Sequence, residues 1–343
     1  MSWIGLAERG LVPDALVRRE VRRLISKHLR ELAAQSLDER LAWVDALRSG
    51  PILPTPDGAH ARKDDVAPRF FETVLGPRML HGAGLWPRTD TTLAESEQAM
   101  LACVCERAGL QDGMRVLDVG AGLGALSLWI AEHYPSSRVL ALASTKSAAE
   151  WIASTCQRRG LGNVEVRTDG LDHFEPGDRF DRVLSLEQLE RVHNWELLFQ
   201  RVAGWLAPNG RLFAQFFCHR EVSYPCAWRG AGHWRPHLLS GGMMPSEELP
   251  YAYPQHLRVA RHWRIGGTHY QRTLESWLAR LDADPERIEA ALAESARDLS
   301  PATLRRHWRL FFISCAEIFG YAQGESWHVA QFRMEAARTH AAA

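Results

Sequence analysis

The stretch VLDVGAGLGA, Val116 to Ala125, constrains this chain more than any other. An apolar run meets glycines at three alternate positions, Gly120, Gly122 and Gly124, and helix-forming residues resume at Leu126. That order describes a buried strand whose chain turns sharply and opens a helix, with backbone N–H groups aimed at whatever lies above the strand end. The flanking text repeats the alternation. A helix is expected through Glu95–Arg107, a strand at MRVLDV, a helix from Leu126, a strand at RVLALA and a helix through Ala148–Arg159. Further strands are expected at VEVRT, RVLSL, RLFAQFF and LRVARHWRI, with a helix between Trp195 and Leu206. Alternating strands and helices make parallel βαβ units, so the fold class is α/β with a doubly wound, Rossmann-like sheet. After Tyr270 the pattern turns helical again and ends in WHVAQFRM, which reads as a last edge strand.

Gly120, Gly122 and Ala125 also satisfy the GxGxxG/A pattern of dinucleotide enzymes, so the glycines do not choose between nicotinamide and S-adenosylmethionine. Asp118 favours the second. A carboxylate two residues before the first glycine crowds a pyrophosphate but accepts hydrogen bonds from an amino acid's ammonium; the alternative is a cap at the strand end. A dehydrogenase also needs an acid about 20 residues further on for the ribose, where this chain has Ala143, Ser144 and Thr145. Ser144 is the candidate ribose contact. Asp169, past the third strand, is the candidate for the adenine amino group, or a turn cap.

Outside this core, Pro13 to about Arg48 reads as one helical pattern, with Leu16, Val17, Val21, Leu24, Ile25, Leu29 and Leu32 on one face. Its other face carries Arg18, Arg19, Arg22, Arg23, Lys27 and Arg30, either solvated or against lipid headgroups. Residues 50–68 are rich in Pro, Gly and charge and read as a linker. The expected organisation is a helical lid and linker over residues 1–90, then the main domain over 91–343 with substrate-covering helices at about 220–325. Lys plus Arg and Asp plus Glu both number 41, so no net field recruits nucleic acid. The six cysteines lack CxxC spacing, which argues against zinc or a disulfide framework and suits a reducing cytoplasm. No run reaches the roughly 18 apolar residues of a membrane span.

Long collinear segments carry a resemblance. LVPDALVRR, RFFETVLGPRMLHGAGLWP, TLAESEQAMLACVCERAGLQDGMRVLDVGAGLGALSLWIAEHYPSSRV, SLEQLERVHNWELL, HWRIGGTHYQRTLESWLARLD and FGYAQGESWHVAQFRM together resemble plant coclaurine-type N-methyltransferases and, more distantly, cyclopropane-fatty-acid synthases. The resemblance implies a class I methyltransferase with S-adenosylmethionine as methyl donor, a small-molecule acceptor that is an amine, and a pocket roofed by the N-terminal and inserted C-terminal helices. It places Glu187 and Glu190 at two glutamates near the amine, and Arg191 where those relatives have a histidine, with His193 close by as a substitute. Of the groups by which the synthases hold bicarbonate, Glu190 and Tyr270 match, whereas Ala83 stands at the cysteine and Phe216 at the histidine position. Methyl transfer to a heteroatom is therefore favoured over lipid cyclopropanation. A catalytically weak cofactor-binding scaffold is a further alternative, and a homodimer is compatible with the sequence.

In-line methyl transfer needs a neutral acceptor lone pair and no metal. Glu187 and Glu190, three residues apart and expected on one helix face, are the candidate proton relay; the alternative is a solvated acidic face. In the loop His81–Trp86, His81 is a candidate for the methionine carboxylate and Trp86 for covering the cofactor. Trp228, Trp234 and Trp263 are further candidate pocket walls.

Overall fold

The computed structural model describes residues 3–53, 66–226, 242–295 and 299–337. Its centre is a seven-stranded sheet in the order β3 (Val164–Arg167), β2 (Arg138–Leu142), β1 (Arg115–Val119), β4 (Phe180–Leu186), β5 (Leu206–His219), β9 (Trp327–Ala336) and β8 (Leu257–Ile265). β1 to β5 pair in parallel, and β9 runs antiparallel to both its neighbours. The order reverses between β1 and β4, and in such sheets ligands occupy the crevice at the carboxyl ends flanking that switch. A two-stranded ribbon, β6 (Tyr224–Pro225) with β7 (Met243–Met244), lies outside the sheet.

WHVAQFRM is a strand as expected, but not the edge. It sits between β5 and β8, with Val329, Ala330 and Phe332 fully buried. The edge is β8, where Arg258, Arg261 and Arg264 are exposed and discourage pairing with another chain.

The crossover helices are α5 (Leu93–Ala108), α6 (Ala125–His133), α7 (Lys146–Arg159) and α8 (Trp195–Trp205). α5 starts on a reciprocal cap between Thr92 and Glu95 and stops at Gly109, whose φ of 64° suits a residue without Cβ.

The expected single helix over 13–48 is two: α2 (Asp14–Ala33) and α3 (Leu37–Ala46), after the short α1 (Trp3–Glu8). Apolar periodicity missed the break because the interruption is polar. Ser36 takes extended backbone and forms a capping box with Glu39, starting a new helix. Most of the expected linker, 54–65, lies outside the described residues, and α4 (Pro68–Val74) begins immediately after Ala67.

α9 (Gly267–Ala283), α10 (Pro285–Leu292) and α11 (Pro301–Gly320) complete the roof. Val17, Val21 and Ile25 of α2, Phe70 of α4, Trp277 of α9 and Phe312 of α11 share one core with Met100 and Val116. The basic face of α2 is neither wholly solvated nor free for lipid. Arg18 donates to Glu275 on α9 (2.6 and 2.9 Å) and to Glu317 on α11 (2.9 Å), and Arg22 also pairs with Glu317. Arg23 and Lys27 remain at the surface, paired within the helix to Glu20 and Glu31. Among the described residues no helix is long and apolar enough to cross a membrane.

Glu317 is only 4% exposed, so its charge depends on these two arginines. Arg18→Met strands much of that charge and should lower stability by roughly 2–4 kcal/mol in chemical denaturation. A loss below about 1 kcal/mol would show that Arg22 alone satisfies Glu317.

Candidate active site

At the end of β1 the N–H groups of Gly120 and Ala121 both donate to the carbonyl of Leu142 on β2 (3.1 and 3.0 Å), folding the loop over the sheet. Gly120, Gly122 and Gly124 have φ of 75°, 53° and 83°, the left-handed region that other residues avoid. Two are also fixed by packing: a Cβ at Gly120 would lie 2.6 Å from Gln188, and one at Gly124 2.7 Å from Ile152. At Gly122 a Cβ would meet nothing within 4 Å. Gly122 therefore borders open space at the carboxyl ends of the central strands, a cradle that a ligand can fill and a side chain would obstruct.

Asp118 is buried, and its Oδ2 accepts from Ser127 Oγ at 2.6 Å. The carboxylate thus ties β1 to the first turn of α6, and burial pushes it up to about 6. Ser144 is exposed at the end of β2. Asp169, past β3, is half-exposed and held in a two-pronged pair by Arg167 (2.8 and 2.9 Å), which lowers its pKa. An adenine amino group would share this carboxylate with the guanidinium. The open cradle, the carboxylate beside it and the polar ends of β2 and β3 fit an adenosyl amino acid.

Across the switch point, β4 ends at Leu186 and the chain kinks. Glu187 has φ of 52°, rare for a residue with a Cβ, and its N–H donates to the Gln215 carbonyl at 2.7 Å. The expected helix face is absent. Glu190 stands in a single 3-10 turn, Leu189–Arg191, and the kink leaves the two carboxyls, from different local structures, near enough for Glu190 to feel the charge of Glu187. Glu187 Oε1 accepts from the N–H of Ala83 (2.8 Å) and from Gln215 Nε2 (3.1 Å), and its Oε2 accepts from Tyr270 Oη (2.7 Å). Glu190 is 2% exposed; its Oε1 accepts from Phe217 N–H at 2.7 Å, and its Oε2 is buried without a hydrogen-bond partner. Burial raises the pKa of both carboxyls, and for Glu190 the neighbouring Glu187 charge raises it further. Burial of Glu190 excludes a solvated acidic face.

The loop His81–Trp86 lies against α9 through the Thr273 hydroxyl and the His269 ring, whose Nδ1 accepts from Trp86 N–H at 2.9 Å. Thr273 Oγ1 accepts from Gly84 N–H (3.0 Å) and Trp86 Nε1 (2.9 Å) and donates to the His269 carbonyl (2.9 Å). Trp86 is buried with Arg272 over its ring at 4.2 Å, so its indole packs against protein groups on α9. His81 keeps accessible surface, yet the rings of Phe71 and Trp277 crowd it (5.0 and 5.8 Å between centroids). Lost hydration pushes its imidazole down to about 4.

Several sequence assignments are corrected. Arg191 is exposed, because the residue after Glu190 leaves the turn on its solvent side. Phe216 points to the opposite face of β5, between Trp195 and Phe332. The β5 side chain that meets Glu187 is Gln215, one residue earlier, since strand neighbours face opposite ways. Trp263 is on the edge strand β8 between Arg107 and Arg333. His193 is half-buried with its N–H bound to the Ile52 carbonyl (2.8 Å). Trp228 and Trp234 lie outside the described residues. Gln215 and Thr273 escaped the sequence reading, although a lone polar residue within AQFF signals a buried amide in need of a partner.

The model of the family described as mycolic acid cyclopropane synthetase matches residues 57–332. The chain belongs to this family. It is a methyltransferase that uses S-adenosylmethionine. It is 32% identical to (S)-coclaurine N-methyltransferase of Thalictrum flavum subsp. glaucum over 93% of this chain and 91% of that one. The cyclopropane-fatty-acyl-phospholipid synthase of Escherichia coli (strain K12) is 26% identical over 77% of this chain and 65% of its own. The crystal structure of coclaurine N-methyltransferase bound to N-methylheliamine and SAH superposes with a TM-score of 0.87 at 30% identity, covering 97% of both chains. The mycolic acid cyclopropane synthase CmaA1 shares the fold, with a TM-score of 0.67 at 22% identity over 82% of this chain and 99% of that one.

Gly122→Val puts a β-branched side chain in left-handed backbone and in the cradle, so titration calorimetry with S-adenosylhomocysteine should show affinity falling at least about 100-fold, or about 2.7 kcal/mol. Unchanged affinity would move the cofactor site elsewhere.

Proposed function

We propose that this methyltransferase N-methylates a small amine of alkaloid type. The observation that carries the reading is the buried, unpartnered Oε2 of Glu190 beside Glu187, at the end of β4 and across the switch point from the glycine loop. Two adjacent buried carboxyls attract a cation and can take one proton from it. Similarity to the coclaurine, pavine and tetrahydroprotoberberine N-methyltransferases supports the amine class.

An aliphatic amine with a pKa of about 10.4 arrives as an ammonium ion near pH 7, and freeing its lone pair costs about 4–5 kcal/mol without a base. Bound S-adenosylmethionine supplies the methyl group on a sulfonium, activated for in-line displacement. In the proposal Glu190 Oε2 receives the ammonium proton, the N–H bond breaks as the O–H bond forms, and the nitrogen keeps the electron pair with which it would bond to the methyl carbon as the carbon–sulfur bond breaks and S-adenosylhomocysteine leaves. Glu187, ordered by Tyr270, Ala83 and Gln215, keeps its charge and stabilises the approaching cation. The loop Gly120–Gly124 holds the donor, with Asp118 at its amino end and Ser144 and Asp169 near the ribose and adenine. Exposed Arg191 has no part.

The sign of the pH dependence follows. A base must be ionised to act, and Glu190 is held protonated above the ordinary carboxyl range. The acidic limb of kcat/KM should therefore rise with pH around an apparent pKa above about 4.3. Glu190→Gln should abolish that limb and lower kcat roughly 10²- to 10⁴-fold on the secondary amine corresponding to N-methylheliamine, with S-adenosylhomocysteine affinity unchanged by calorimetry. Wild-type turnover in the variant would remove Glu190 from the chemistry.

A further inference from the structure

A chain of buried side chains leads from the surface of α5 to the carboxyl pair. Arg107 Nη1 donates to Gln331 Oε1 at 2.5 Å, Gln331 Nε2 to Gln215 Oε1 at 2.7 Å, and Gln215 Nε2 to Glu187 Oε1 at 3.1 Å. Both glutamines are fully buried in the middle of β9 and β5, and the two residues are register partners. Arg107 is half-buried, with its guanidinium 5.3 Å from the centre of the Trp263 ring.

The direction of this chain follows from chemistry. An amide can be turned end for end, but a guanidinium has only donors. Beside Arg107, Gln331 must present its oxygen, so its NH₂ faces Gln215; Gln215 must then present its own oxygen, so its NH₂ faces Glu187. A reversed chain would leave donor against donor at Arg107. The terminus is therefore a donor, and a donor on Glu187 Oε1 stabilises the ionised carboxylate more than the neutral acid.

We propose that Arg107 is a positioning residue for the reaction: acting through Gln331 and Gln215, it fixes the direction of both amides and holds Glu187 as the charged member of the carboxyl pair. The proton taken from the amine then resides on Glu190, which has one oxygen on Phe217 N–H and the other unpartnered. The pair thus divides its work, with Glu187 a fixed charge and Glu190 the site that gains and loses a proton. The inference rests on the proposed role of this pair. Glu187 is faced by Tyr270 from α9, by Glu190 from the 3-10 turn, by Gln215 from β5 and by the backbone of Ala83. Cys226, beyond β6, and Cys218 of β5 are near enough to Glu190 to feel its charge, and burial raises both thiols.

The test follows protonation directly, without turnover. In the Glu190→Gln background, the carbonyl stretch of a protonated carboxyl, taken as an infrared difference against the Glu187→Gln/Glu190→Gln double variant, reports Glu187 alone. Adding Arg107→Met frees both amides to turn and should raise the Glu187 midpoint by about half a pH unit or more; Arg107→Lys, still donor-only, should restore it. Gln331→Met, similar in size and apolar, should raise it equally, so a folding failure in one variant leaves the other decisive. Equal midpoints in wild-type, Arg107→Met and Gln331→Met backgrounds would overturn the proposal, as would an Arg107→Lys shift as large as that of Arg107→Met. A raised midpoint in a protein that methylates no amine would support the relay and overturn the functional reading alone.

Discussion

The burial of two carboxyls side by side at the switch point is the constraint on which the rest of the site depends. A carboxylate removed from water is strongly destabilising unless donors replace its hydration, and two of them repel. The fold supplies donors unequally. Glu187 receives three, from a loop backbone, a strand amide and a helix phenol. Glu190 receives Phe217 N–H and keeps an oxygen without a partner. That asymmetry separates the two groups in protonation and leaves one of them incomplete until a cation arrives.

The surrounding architecture serves this arrangement. The left-handed backbone at Glu187 turns the chain off β4 so that the side chain meets Tyr270 on α9 rather than continuing along the strand. α9 in turn holds the His81–Trp86 loop through Thr273, and that loop returns the Ala83 N–H to Glu187. α2 is fastened to α9 and α11 by Arg18, and its Val17, Val21 and Ile25 belong to the same core as Val116 of the sheet. The glycine loop across the switch point is built on a different basis. It needs positive φ and empty space rather than charge, and the buried carboxylate just before it, Asp118, is engaged by Ser127.

Much of this was legible in the sequence because periodicity and glycine spacing are local signals. The βαβ alternation located β1 to β5 and their helices, and the loop after β1 was read from Gly120, Gly122 and Gly124. What escaped depends on contacts distant in sequence. The break at Ser36 is a capping event inside an unbroken apolar stripe, and the interior place of β9 is decided by β8 pairing outside it. Glu187 and Glu190 were singled out, but their spacing suggested a helix face, whereas a backbone kink and a 3-10 turn unite them. Phe216 stands at the position of the synthases' histidine, but strand alternation turns Gln215, one residue earlier, toward Glu187. The amide chain from Arg107 spans three elements, and only the polar residues inside AQFF and VAQF hinted at it.

The relation of Glu190 to the acceptor is tested most directly by a crystal structure with S-adenosylhomocysteine and a secondary amine bound together. The amine nitrogen should lie about 2.6–3.2 Å from Glu190 Oε2, on the side facing the cofactor sulfur. An ordered amine seated away from both carboxyls, with Glu190 Oε2 still covered only by protein, would contradict the assignment of that oxygen as the proton acceptor.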